Sequence, residues 1–347
     1  LSSDTPRPLR SDESIVAYGT PLAATREGTL SYLPVALFGS VMGITGLASA
    51  WNLAHSVYGT PLWIGQVIGG FAIFVFVLMG TGYAIKAATG FRAVKAEFQH
   101  PIAGNLFGTL FISLLLIPIP IAEYSPRLAR WIWVAGTLGM IVFAWVIISR
   151  WLGSRQQPGH ATPAWIVPMV GLVDIPLAVP ALQLQGQGQE ELLTFSLGLG
   201  LFFAVPLFTL VMSRLLFEEP LPVSLQPSLM ILVAPFALGF SAYVNITDTV
   251  DHFASALYAL TIFMLSVVIG RIRYLAVCCP FRLSWWAVSF PSAGAAVCAL
   301  RYAQHTSNVF TDSVAIVLLI GVTLLLFVMT LKTLASLARG NLKHLAG

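Results

Sequence analysis

The chain has 347 residues, of which 57% are hydrophobic and only 9% charged, with a net charge of +4. Soluble domains carry about 25% charged residues, so the composition excludes an ordinary soluble domain and implies an integral membrane protein. The basic excess belongs to membrane topology, because inner loops collect Lys and Arg, and it gives no reason to expect a nucleic-acid partner.

Residues 1–29 read as a polar cytoplasmic tail, containing Pro6 and Pro8 and lacking the apolar core of a signal peptide. No Asp, Glu, Lys or Arg occurs between Glu27 and Lys86, which is room for two spans of about 20 residues each. Continued along the chain, the same criterion predicts spans near 31–53, 61–86, 102–122, 128–151, 163–183, 191–214, 225–245, 252–273, 284–303 and 312–336. The expected fold is all-α: a transmembrane domain over 30–337 with ten helices, arranged as five hairpins around a central pore lined by the odd-numbered helices, then a short cytoplasmic tail over 338–347. Placing both termini in the cytoplasm puts every Lys and Arg inside except Arg127, Arg130 and Arg301. The odd spans are then expected to hold no basic residue.

In the first span Gly39, Gly43, Gly46 and Ala50 share one face, which permits close backbone approach, either as ordinary helix packing or as part of a narrow inner ring. Pro118, Pro176, Pro235 and Pro291 fall 58, 59 and 56 residues apart, one in each of the third, fifth, seventh and ninth spans, and that period implies a repeated unit. Prolines in membrane helices are tolerated where neighbouring groups re-satisfy the freed carbonyl, often around a cavity. Asp174 is the one acid deep within a span, a carboxyl with no basic residue at its depth; such acids mark proton or substrate sites, or donate to a carbonyl freed by proline. In the ninth span Ala287, Phe290 and Gly294 share a face beside Pro291. Phe290 on that face is either a packed core ring or an apolar plug. Cys278, Cys279 and Cys298 have neither disulfide nor metal-binding spacing. No hydrolase, phosphate-loop or metalloprotease motif occurs, so neither an enzyme nor a cofactor is expected.

Four stretches then resemble a known family: Leu33-Pro34-Val35-Ala36-Leu37-Phe38-Gly39, Ala96-Glu97-Phe98-Gln99-His100-Pro101, Leu232-Val233-Ala234-Pro235 through Ser241-Ala242-Tyr243, and Trp286-Ala287-Val288-Ser289-Phe290-Pro291. They are similar to the TehA-type tellurite-resistance proteins, plant slow anion channels and yeast malate and sulfite transporters. The resemblance implies five hairpins around a channel in each subunit of a homotrimer, with a phenylalanine of the ninth helix blocking the conduit; by position that residue is Phe290. It implies passage of small inorganic or organic anions through a bacterial inner membrane, and as the alternative a proton-coupled carrier or exporter of C4-dicarboxylates or oxyanions such as tellurite or sulfite. Asp174 departs from the family pattern, where small or neutral polar residues occupy that part of the fifth helix.

Overall fold

A computed structural model describes residues 30–184, 186, 188–278 and 281–339. The expected N-terminal tail, most of the C-terminal tail and Cys279 lie outside the described residues. Nine helices among these are long and apolar enough to cross a membrane, and a bent pair supplies a tenth span. In chain order they are α1 (Val35–Tyr58), α2 (Leu62–Gln99), α3 (Ala103–Ala122), α4 (Pro126–Gly153), α5 (Pro163–Val173 and Ile175–Leu182, bent by 44°), α6 (Gln189–Phe217), α7 (Gln226–Thr247), α8 (His252–Cys278), α9 (Leu283–Thr306) and α10 (Val309–Ala338). No strand occurs among the described residues. The protein is an all-α, multi-pass membrane protein.

The odd helices pack in a closed ring, α1 against α3, α3 against α5, α5 against α7, α7 against α9, and α9 back against α1. Burial separates them from the even helices. In α1, α3, α7 and α9 between 61% and 78% of the apolar window is buried, whereas in the even helices it is 17% to 39%. Outward positions of the even set, such as Trp63, Phe74, Trp145, Phe202 and Phe327, are large and apolar, as lipid contact demands.

Every odd helix opens on a 3-10 segment: Val35–Leu37, Ala103–Phe107, Pro163–Ile166, Gln226–Val233 and Leu283–Val288. No even helix does so. This changes what the periodic prolines do. Pro235 and Pro291 stand in the first turn of the α-helical stretches Ala234–Thr247 and Ser289–Thr306, close to where the 3-10 segment ends and where a backbone N–H is least missed. Pro118 begins a separate short helix, Pro118–Ile121, and Pro176 follows the bend at Asp174. A further helix-interior proline, Pro206, lies in α6, so such prolines are not confined to the odd set.

Two expectations need correction. Helical structure continues past the expected end near Lys86 to Gln99, as two stretches joined at a kink at Gly90 (φ −151°, ψ 53°). Its charges do not mark a loop, because Lys86 is buried and pairs with Glu97 across the kink at Gly90. What ends the helix is Pro101, which forces His100 into an extended conformation (ψ 132°). The second correction concerns Arg301, which lies within α9, so an odd span does hold a basic residue.

Candidate functional site

The ring encloses a cavity of ≈ 100 Å³ walled by all five odd helices and the residues leading into them. Its lip is formed where those helices begin, by Ile102, Thr162, Ser224, Leu225 and Ser284. Its inner end lies at Asp174, Leu238, Phe290 and Pro291. Because successive hairpins run up and down, the five odd helices all begin at the same end, and their positive dipole ends face this space. No Lys, Arg or His lines it.

Phe290 is 6% exposed and forms part of the inner wall. Three features of its surroundings fix its place. Gly46 of α1 faces the ring, and a Cβ there would lie 3.6 Å from it. Ser289, next in sequence, donates to Trp286 O (2.6 Å) and to Gly39 O (3.1 Å), tying α9 to α1. Gly43 lies directly against the Ser289 side chain, where any Cβ would collide. Hydroxyls on α3 complete the same stitching, with Thr109 donating to Val35 O (3.1 Å) and Ser113 to Phe38 O (3.1 Å).

Of the residues singled out by sequence, Gly39, Asp174, Ala287, Phe290 and Pro291 line the cavity. The others sit between helices. Gly43 and Gly46 seat α1 on α9, and Gly294 leaves room for Leu238 of α7. Pro118, Pro176 and Pro235 are buried within the ring.

Asp174 is fully buried, and neither carboxylate oxygen has a hydrogen-bond partner. The backbone around it is nevertheless satisfied. Trp133 Nε1 donates to Ile175 O (3.0 Å), and Asn245 Nδ2 donates to Pro176 O (3.0 Å), the carbonyl that Pro180 leaves without its helical donor. Asn245 also accepts from Arg301, so a polar bridge links α9, α7 and α5 beyond the inner end of the cavity. Arg301 bonds Asn245 through one guanidinium nitrogen and makes no hydrogen bond to Asp174, whose oxygens have no partner.

A second buried polar group escaped the sequence reading. Lys86 Nζ lies 2.6 Å from Glu97 Oε2 and donates to Leu33 O (2.6 Å). Glu97 Oε1 accepts from Val35 N (2.7 Å), and Tyr83 donates to Oε2 (3.1 Å). One carboxylate thus caps the start of α1 while neutralising a lysine on α2. The pair forms because α2 kinks at Gly90 between the two residues; along an unbroken helix their eleven-residue separation would set them about 16 Å apart.

The fold is that of a multi-pass helical membrane protein whose inner ring of five helices encloses a largely apolar cavity. A family model described as voltage-dependent anion channel (SLAC1) matches residues 32–334, and the chain belongs to that family. It is 28% identical over 309 residues to the S-type anion channel SLAH3 of Arabidopsis thaliana, covering 87% of this chain and 48% of the relative. It is 25% identical over 313 residues to the guard cell S-type anion channel SLAC1 of the same plant, covering 87% and 55%. It is also 24% identical over 312 residues to a tellurite resistance protein TehA homolog of Haemophilus influenzae, covering 89% and 92%. The chain thus spans about half the length of the plant relatives and nearly all of the bacterial one.

Proposed function

We propose that the chain conducts small anions passively along the axis of the odd-helix ring, with Phe290 as the plug at the inner end of the cavity. The observation that carries this reading is the Phe290 ring set against small residues, Gly46, Ala287 and Ala293, at the inner end of the cavity. Apolar constrictions of this kind exclude water and with it any hydrated ion. A wall without Lys, Arg or His binds an anion weakly, which suits rapid passage. Family membership and the named anion channels among the relatives support an anion as the solute. In this reading each subunit of a homotrimer carries its own conduit, in a bacterial inner membrane with both termini cytoplasmic.

The test is macroscopic current under chloride, nitrate and malate replacement, for the wild type and Phe290→Ala in the same membrane. Truncation of the ring is expected to raise anion current at least tenfold. An unchanged current from a folded oligomer would remove Phe290 from the role.

A second reading, a proton-coupled carrier or exporter of C4-dicarboxylates or oxyanions, is favoured by one observation, the unpartnered carboxyl of Asp174 on the cavity wall. An imposed pH gradient separates the two. Uphill uptake abolished by Asp174→Asn belongs to a carrier, and purely downhill flux indifferent to that change belongs to a channel.

A further inference from the structure

The kink at Gly90 sets the end of α2 apart from the rest of that helix. At a rise of about 1.5 Å per residue, residues 62–89 cover roughly 42 Å, more than the ~30 Å of hydrocarbon in a bilayer. Residues 91–99 therefore run at headgroup level, on the face where the odd helices begin. Their inner side is held fast. Glu97 reaches back across the kink to Lys86 Nζ (2.6 Å) and accepts from the Tyr83 hydroxyl (3.1 Å) and from Val35 N of α1 (2.7 Å). Val94 and Phe98 pack on the core. The Phe98 ring stands 5.1 Å from that of Phe107 and 4.5 Å from the Arg150 guanidinium carbon, and Phe98 O accepts from Arg150 Nη1 (2.8 Å). The outer side carries Phe91, Arg92, Lys95 and Gln99, all exposed and recurring at helical spacing. Phe91 is 67% exposed. Neither Arg92 nor Lys95 makes a hydrogen bond or ion pair among the described residues, and the one acid of the stretch, Glu97, is spent on the inner side.

We propose that residues 91–99 form an interfacial strap that binds acidic phospholipid, with Phe91 seated among the upper acyl carbons and Arg92 and Lys95 on the phosphates. A large apolar ring beside two unpaired cations, at the depth where hydrocarbon meets headgroup, is complementary to an anionic membrane surface. Phe91 also continues the apolar exterior that α2 presents at Phe74 and Ile85. The long stems of Arg92 and Lys95 let their charges rise to the phosphates while the ring stays below. A free phosphate ion would engage the cations and leave the ring in water. The same stretch holds the first amide of α1 through Glu97 and two amides at the start of α3 through His100. Lipid bound on its outer side thus steadies the beginnings of two odd helices.

The experiment follows the thermal unfolding midpoint of the full chain in mixed micelles as phosphatidylglycerol or phosphatidylcholine is titrated in. Phosphatidylglycerol is expected to raise the midpoint saturably, phosphatidylcholine and inorganic phosphate to leave it unmoved, and added NaCl to weaken the rise. In the double variant Arg92→Gln with Lys95→Gln, the phosphatidylglycerol concentration giving half the rise should increase about tenfold or more. Its midpoint in phosphatidylcholine should match the wild type, which reports an intact fold. Phe91→Ser should weaken the phosphatidylglycerol response, whereas Arg155→Gln, an exposed cation outside the stretch, should keep it. An equal response in wild type and double variant overturns the strap. So does an equal loss in Arg155→Gln, which would reduce the effect to net charge, or an equal rise with inorganic phosphate alone. Native mass spectrometry of the same proteins reads the occupant directly. Phosphatidylglycerol retained by the wild type and released by the double variant upholds the proposal; loss of subunit assembly in that variant, with retained lipid unchanged, would give this face to a second copy of the chain and overturn it.

Discussion

The Lys86–Glu97 pair shows how much can hang on two side chains. Both are largely buried, with 4% and 12% of the side chain exposed, and Glu97 also holds the first amide of α1. Removing one partner of such a pair leaves an uncompensated charge, at a cost of about 3–5 kcal/mol. Lys86→Met is therefore expected to lower the thermal unfolding midpoint markedly in detergent, and the joint change Lys86→Met with Glu97→Gln to recover part of the loss. Equal destabilisation by the single and the double change would show that the pair is not coupled. Gly43 makes a steric prediction of similar size. A methyl there meets the Ser289 side chain, so Gly43→Ala is expected to cost about 1–3 kcal/mol by overpacking, whereas Gly70→Ala, with nothing within 4 Å, should leave the same midpoint unmoved. Sequence singled out Asp174 and Phe290, a lone acid and a large ring on a small-residue face, and both line the cavity. It could not have shown that the Thr162 and Ser284 hydroxyls of the same wall lack partners, since whether a hydroxyl bonds to its own helix depends on a rotamer and leaves no trace in residue order.

At the level of single helices, the apolar runs were readable almost throughout, and the exceptions share a physical origin. α2 outran its predicted end because a charge neutralised within the fold looks, in sequence, like a charge in water. α5 broke in two because Pro176 and Pro180 together deprive one turn of its donors, and the carbonyl of Pro176 found Asn245 on another helix. The start of α3 carries a pH-dependent cap of its own. His100 Nδ1 accepts from the amides of Ile102 (3.2 Å) and Ala103 (3.1 Å), which requires that nitrogen to be unprotonated. Burial, and then the neighbouring His160, hold His100 below the ordinary imidazole value of 6.5, and burial lowers His160 as well. The unfolded chain then binds more protons than the folded one over the interval beneath 6.5. The cap's contribution is complete above that value and is lost as the pH falls below it. His100→Asn retains an acceptor and should flatten the acid-side fall in melting temperature; a wild-type profile that is already flat would show the cap contributes nothing. At the last helix, Asn308 accepts from the amides of Phe310 and Thr311, and Asn308→Ala is expected to cost about 1 kcal/mol, read as earlier unfolding on a denaturant titration.

Across the molecule, the division into an inner odd ring and an outer even shell follows from which helices could afford small residues and which had to present large apolar ones to lipid. The proline period pointed to the inner set, and the closed packing of α1 on α9 completes it. The period did not disclose that each member of that set starts in a different kind of helix from the one in which it ends. A 3-10 turn rises about 2.0 Å per residue against about 1.5 Å for an α-turn, so the cavity wall is built partly from chain that is drawn out. The eight residues Gln226–Val233 would shorten by about 4 Å on rewinding, and the shorter segments of the other four liners by about 1.5–3 Å each. Such a lining is a barrel of drawn-out staves around the space beside Phe290, hooped by the long α-helices outside it.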